Sequence, residues 1–504
     1  MRDAADDQGA AEGVLGVAGS ARRRLLRRLP RRLASLSRPA LVIACIIALV
    51  VLAGVGYGVQ KVLENQLPPL HLISFDYERA YHDEQRLTSI GPRMSGTDAE
   101  GQGADYIAQQ FVDAGLEEVE ILTYDVLMYE VLSAEVSMVP YGPAGFFPAL
   151  SSGTARHYEH TVEFVIQGYS GSHRWGSFRD DLELIDLGDG SDESAWQRAS
   201  GKAGIIAQGG EVTSNSVLFF KARDFGLSAL VLHNIARGEE LGFIPISKTA
   251  VLLPGESQFP DLPFLMVSKS VGEEMKQLSG SHRLRLDIST FVGERPIRVV
   301  SGIVRGSQDQ EHFIMLGAHH DTVYNGNGAV DDTSGTSTII ELARQLAPSH
   351  PKRTIRLSTW GGEEEGLYGS NAWAAAHEDL IANGLVYYFN FDMNHVDLER
   401  CDEITAETST NATVDAYRQL IEMGRREHPD LFSLYTYKPE YNPDIPGNSD
   451  HAPFQARGRP VSFIYGCGSF EYHTYKDGID RIDPRSLAVT AMIQGSYALA
   501  LAQQ

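Results

Sequence analysis

Cysteine is nearly absent, with three in 504 residues. That excludes a disulfide-stapled scaffold and a thiolate-rich zinc or iron–sulfur site. Positive charge is also short: 43 Lys and Arg stand against 66 Asp and Glu, a net charge of -23. Such a chain lacks the clustered cations that phosphate contacts need, which argues against a nucleic-acid partner. Internal repeats are missing, and low complexity is confined to an Ala-, Gly- and Asp-rich stretch over 1–20. What is there is of globular composition, 43% hydrophobic and 22% charged, with room for about two or three domains.

One apolar run breaks the pattern. Pro39 to Gln60 is uncharged and shows no polar face, and eight arginines lie between Arg22 and Arg38 just before it. About 20 apolar residues span a bilayer. A cleaved signal would have a shorter apolar middle, ~7–15 residues, nearer the start. The preferred reading is therefore a basic cytoplasmic tail over 1–38, a transmembrane anchor over 39–60 and a linker over 61–72. The positive-inside rule then puts the remainder outside the cytoplasm. That body, 62–504, holds 33 basic and 62 acidic residues.

Within the body, two helical pieces are expected over 74–117. The second, Asp98–Gly115, has early acids, an apolar set at Ala104, Ile107, Phe111 and Ala114, and a glycine stop. A strand-like run follows over 119–131. Residues 136–292 turn Gly-, Ser- and aromatic-rich, with short apolar strands at 204–208, 228–234 and 263–268 and one amphipathic helix, Ser216–Gly226. This reads as a β-rich insert. From Arg295 on, apolar runs alternate with helical patterns, as in an α/β sheet.

Four of those later runs end in groups that bind metals. Residues 312–318 lead to His319, His320 and Asp321. Residues 354–360 lead through two glycines to Glu363, Glu364 and Glu365. Residues 385–391 end at Asp392, and 460–466 precede His473. In open α/β sheets, ligands bind beyond the carboxyl ends of the strands. A fifth block, Gly328-Ala329-Val330-Asp331-Asp332, precedes a helix with a Thr333/Ser334 cap and an apolar face of Ile339, Ala343 and Leu346. Imidazoles with carboxylates and no thiolates suit zinc, manganese or cobalt. More than four candidates suggest two ions, which activate water and polarise a carbonyl. In the Glu363–Glu364 pair one carboxylate can ligate while its neighbour takes a proton.

These blocks resemble the co-catalytic di-zinc exopeptidases: bacterial leucyl aminopeptidases, vacuolar aminopeptidase Y and the glutamate carboxypeptidases. The likeness rests on 317–321, 328–335, 362–370, 390–392 and 472–474, in that order and spacing. Residues 203–282 resemble, more weakly, the protease-associated domain that such enzymes carry. The resemblance implies an α/β fold with a mixed, mainly parallel central sheet flanked by helices. Its first part would be 73–135, the protease-associated insert 136–292, and the second part with the metal site 293–504. It also implies roles. His319 and Asp392 would hold one Zn2+, Glu364 and His473 the other, and Asp331 would bridge. Asp321 would orient His319, Glu363 would be general base and acid, and Tyr472 could meet the developing oxyanion.

The function implied is a membrane-anchored, extracytoplasmic zinc exopeptidase acting on peptides, with an aminopeptidase preferred. The alternatives are a glutamate-carboxypeptidase-like dipeptidase, a one-zinc glutaminyl cyclase, and a catalytically dead receptor on the same fold. The helical dimerisation domain of membrane glutamate carboxypeptidases has no counterpart after His473, so dimerisation by that route is not expected. His320 reads as a solvated or supporting residue. The segment 448–454 reads equally as a site-lining loop or an ordinary turn. Cys401 and Cys467 either pair or stay as thiols.

Overall fold

The computed structural model describes residues 69–141, 154–208 and 214–504. Among them no helix is long and apolar enough to cross a membrane. The expected tail, the anchor over 39–60 and most of the linker lie outside the described residues.

In chain order the strands are β1 (Glu117–Pro140), β2 (Arg156–Tyr158), β3 (Phe164–Ile166), β4 (Leu184–Asp186), β5 (Ala203–Gln208), β6 (Ala229–Asn234) and β7 (Phe264–Val267). There follow β8 (His282–Val304), β9 (Asp309–His319), β10 (Arg353–Trp360), β11 (Leu385–Phe391), β12 (Glu403–Thr408), β13 (Thr436–Tyr441) and β14 (Val461–Gly466). A nine-stranded sheet has the order β13-β12-β14-β11-β9-β10-β8-β1-β2, and a five-stranded sheet the order β3-β7-β6-β5-β4.

At the centre of the large sheet, β14, β11, β9 and β10 run parallel. Parallel neighbours need crossovers, and helices supply them. Ser334–Leu346 lies between β9 and β10, and Tyr368–Ala376 with Glu378–Gly384 lies between β10 and β11. All four strands therefore present their carboxyl ends at one edge. The sheet as a whole is not mainly parallel, however. Four of its eight neighbouring pairs are antiparallel. The long ribbon of β1 and β8, pairing from Glu117↔Ile303 to Pro140↔His282, takes part in three of the four, and β12 with β14 makes the other.

That ribbon also runs through both expected insert boundaries, 135/136 and 292/293. Val136, Met138, Leu284, Leu286 and Ile288 are buried in one cluster with Ile205, Val231 and Leu265 of the smaller sheet. A strand continuous across the junction carries core from one sheet to the other. The smaller sheet is less β-rich than its composition suggests. Strands β4, β5, β6 and β7 are parallel, and the helices Glu193–Arg198, Asn215–Asp224 and Lys269–Leu278 accompany them.

Two helices brace the site. Asp98–Ala114 starts where Thr97 accepts from the Glu100 amide and ends at Gly115, whose φ of 90° needs a residue without Cβ. Ala104, Ile107 and Phe111 are fully buried in the main core. The helix Ser334–Leu346 buries Ile339, Ala343 and Leu346 there too, each large apolar side chain contributing about 1.5–3 kcal/mol. Its expected Thr333 cap is absent: Thr333 makes no side-chain cap bond. Asp332 takes that place, accepting from the Gly335 amide at 2.9 Å. Just beyond the carboxyl end of β14, Cys401 and Cys467 are joined as a disulfide, with Cα atoms 6.2 Å apart.

Candidate metal centre

The parallel strand ends bring the five candidate ligands together. His319 is the last residue of β9, Asp392 follows β11, Glu364 follows β10, and His473 lies in the loop after β14. Asp331 enters from the turn before the helix Ser334–Leu346. Ligand atoms of His319, Asp331 and Asp392 lie within 4.8 Å of one another, as do those of Asp331, Glu364 and His473. Asp331 belongs to both groups. Its Oδ1 is 3.1 Å from His319 Nε2 and its Oδ2 is 3.0 Å from His473 Nε2. Glu364 Oε2 is 2.8 Å from His473 Nε2.

Each imidazole is oriented from behind. His319 Nδ1 faces Asp321, 3.2 Å from its carbonyl oxygen and 3.3 Å from Oδ1. His473 Nδ1 donates to the carbonyl of Ser247 at 2.8 Å. With the proton on Nδ1, Nε2 keeps its lone pair for the centre, as metal-binding imidazoles require.

The donor set fits divalent cations. Burial pushes the carboxyls of Glu363 and Glu364 up and takes Asp392 to about 6. Burial would raise Asp331 as well, but the neighbouring His319 and His473 hold it low. Two imidazoles thus face four buried carboxyls, and Glu364 Oε1 has no hydrogen-bond partner. Buried carboxylates are tolerated when paired or bound to metal.

A cavity of about 540 Å³ opens on this cluster, lined by Asp331, Glu363, Asp392, Tyr472 and His473 and, farther out, by Glu407, Phe463 and Tyr465. Glu363 Oε2 sits 3.9 Å from His319 Nε2. The Tyr472 ring stacks on His473, centroids 3.7 Å apart. His473 and, beside Asp392, Met393 hold φ of 58° and 57°, left-handed conformations that cost of order 1–3 kcal/mol and cluster at functional sites.

Several supporting groups were not assigned from the sequence. Asp332 is buried and accepts from the amides of His319 (3.2 Å) and Met393 (3.0 Å), tying β9 to β11. Asp477 accepts from the amides of Val330 (2.7 Å) and Asp331 (3.1 Å). Ser449 Oγ donates to Asp392 Oδ2 at 2.5 Å, and Asn448 lines the cavity. The loop over 448–450 therefore belongs to the site, an alternative that the sequence left level with a turn. Asp477 and Ser449 have no spacing signal, because the one binds backbone and the other a residue 57 positions away. His320 is not solvated. It is fully buried, with Nδ1 3.0 Å from Thr359 Oγ1 and Nε2 3.3 Å from Glu100 Oε1.

Comparison with known proteins points the same way. Residues 299–498, which contain all five ligand candidates, match the model of peptidase family M28. Aminopeptidase YwaD of Bacillus subtilis is 24% identical over 436 residues, 84% of this chain and 83% of the relative. A glutamate carboxypeptidase 2 homolog of Caenorhabditis briggsae is 24% identical over 530 residues, 83% of this chain. The chain spans 67% of that relative's length and 59% of its Caenorhabditis elegans counterpart's. Among solved structures, BSAP, a zinc aminopeptidase from Bacillus subtilis, superposes with a TM-score of 0.66 at 21% identity, covering 87% of this chain and 97% of that one, a likeness of fold. The family match over 299–498 and these relatives indicate a zinc-dependent exopeptidase hydrolase.

Proposed function

We propose that the chain is a membrane-anchored, extracytoplasmic aminopeptidase with two zinc ions per chain. The observation that carries the choice of aminopeptidase is the charge of the cavity. Its lining includes Glu407, a carboxylate outside the metal ligands and the proton carrier, and, among the described residues, no lysine or arginine. Such a pocket suits the ammonium of a free peptide N terminus better than a free terminal carboxylate. The glutamate carboxypeptidase homologs among the relatives keep the second direction open to test.

In this reading His319 and Asp392 would hold one ion and Glu364 and His473 the other, with Asp331 available to both. When bound, the two ions supply Lewis acidity for the scissile carbonyl and for a water. The chain's own residues do the rest. Glu363 takes a proton from the attacking water as its oxygen bonds to the carbonyl carbon. It returns that proton to the amine nitrogen as the C–N bond breaks. Tyr472 donates its hydroxyl hydrogen to the carbonyl oxygen as negative charge develops there. Asp321 and the Ser247 carbonyl keep the two imidazoles turned to the centre.

The anchor over 39–60 and the outward orientation rest on the apolar run and its eight preceding arginines. The Cys401–Cys467 bond agrees with an oxidising compartment. The smaller sheet supports a protease-associated module over 136–292. The test of direction is a peptide panel with free and blocked ends. Acetylating the N terminus should abolish hydrolysis, and amidating the C terminus should not. The reverse pattern would mark a carboxypeptidase.

A further inference from the structure

The insert reaches the catalytic centre through two consecutive residues. Ser247 donates its amide to the His473 carbonyl at 3.1 Å and accepts from His473 Nδ1 at 2.8 Å. The next residue, Lys248, lays its ammonium over the Tyr472 ring, 4.0 Å from the centroid, and donates to the Tyr472 hydroxyl oxygen.

Lys248 is held in place rather than loosely draped. Its amide donates to Gln167 Oε1 at 3.1 Å, and its carbonyl accepts from the Gly168 amide at 2.9 Å. The buried Gln167 also donates to the Ile246 carbonyl at 3.0 Å, so one side chain grips this segment on both sides of Ser247. An ammonium has donors only. Occupying the phenol oxygen as an acceptor, it leaves the Tyr472 O–H for an acceptor in the cavity that Tyr472 lines.

We propose that Lys248 is a positioning residue contributed by the insert, which aims the Tyr472 hydroxyl at the carbonyl oxygen of the bound peptide. This rests on the reading of Tyr472 given above. The insert would then complete the site rather than merely border it, and losing the Lys248 contact would cost turnover without changing metal binding.

The test is a double-mutant cycle on the full-length zinc-loaded protein in detergent, with aminoacyl anilide and dipeptide substrates. Tyr472→Phe should lower kcat by roughly 10²–10³, the usual loss for one oxyanion donor. Lys248→Met should lower kcat by roughly 10-fold or more, with KM and zinc content near wild type. In the Tyr472→Phe background, Lys248→Met should add nothing. Lys248→Arg, which keeps a cationic donor, should recover most of the loss. Losses that multiply in the double variant would overturn the proposal. So would loss of zinc in Lys248→Met, which would mean a structural role, or a rise confined to KM for substrates with free carboxylates, which would mean direct substrate binding. If Tyr472→Phe is itself fully active, the reading of Tyr472 fails. If Tyr472→Phe is impaired and Lys248→Met is silent, only the role of Lys248 fails.

Discussion

His319 turns its Nδ1 to Asp321, 3.3 Å from the carboxylate oxygen Oδ1, and both side chains are buried. The pair lies two residues apart in sequence, yet it fixes which nitrogen of His319 can reach the metal centre. Removing the carboxylate charge should loosen the ring and its basicity. Asp321→Asn is therefore expected to bind zinc roughly 10–100-fold more weakly, the usual cost of losing such a partner. Competition with a chelator of known affinity measures it. Unchanged affinity would leave Asp321 as packing only.

Asp477 holds the backbone on which Asp331 sits. Burial takes its carboxyl to about 7, even though it accepts two amides. Asp477→Ala would leave the amides of Val330 and Asp331 unpaired in a buried turn. Each unsatisfied donor costs about 1–3 kcal/mol. Thermal unfolding of the zinc-free protein isolates this effect from metal binding, and a wild-type midpoint would refute it.

The contrast between Asp321 and Asp477 shows what was legible in the sequence. Asp321, His319 and the other ligand candidates sit at the ends of apolar runs, and that pattern is local. Parallel strands with helical crossovers then bring the runs to one edge without further information. Asp477 and Ser449 serve a backbone amide and a distant carboxylate, contacts that only the fold creates. Lys248 was invisible for the same reason, since its partner Tyr472 is 224 residues away. The ribbon of β1 and β8 was underread because its half-exposed outer strand lacks a continuous apolar pattern: β1 was expected only over 119–131 but runs from Glu117 to Pro140. His320 was underread because a histidine beside a ligand says nothing of the Glu100 that meets it.

His395 gives the pH response a sign. Burial pulls its pKa down to about 4, with Asp397 and Asp483 opposing, against about 6.5 in an unfolded chain. Between those values the unfolded state takes up a proton that the folded state refuses. Its contribution to stability is full above pH 6.5 and is lost as pH falls toward 4, by up to about 3 kcal/mol. Asp450 and Asp477, raised to about 7, act in the opposite sense. The measurement is therefore a difference. His395→Gln should lose less denaturant stability than wild type between pH 7 and pH 4.5, and parallel losses would exclude His395 as the source.

The Cys401–Cys467 bond closes a sequence separation of 66 residues. A loop of that length stabilises by about 4 kcal/mol in the chain-entropy model. Alkylation without reduction, read by mass, should leave both residues unlabelled. The double variant Cys401→Ser, Cys467→Ser should unfold at lower denaturant. Two labelled thiols in the untreated protein would contradict the pairing.

The most direct test is the zinc content of the purified full-length chain beside that of Glu363→Gln and Asp331→Ala, each with its peptide hydrolysis rate. Wild type and Glu363→Gln should both carry two zinc ions per chain, while Glu363→Gln loses roughly 10²–10⁴ in turnover because only the proton carrier is gone. Asp331→Ala, lacking the carboxylate shared by both ligand groups, should lose metal and activity together. One zinc or none in the wild type, or a Glu363→Gln enzyme that still turns over normally, would contradict the two-metal site with Glu363 as its base.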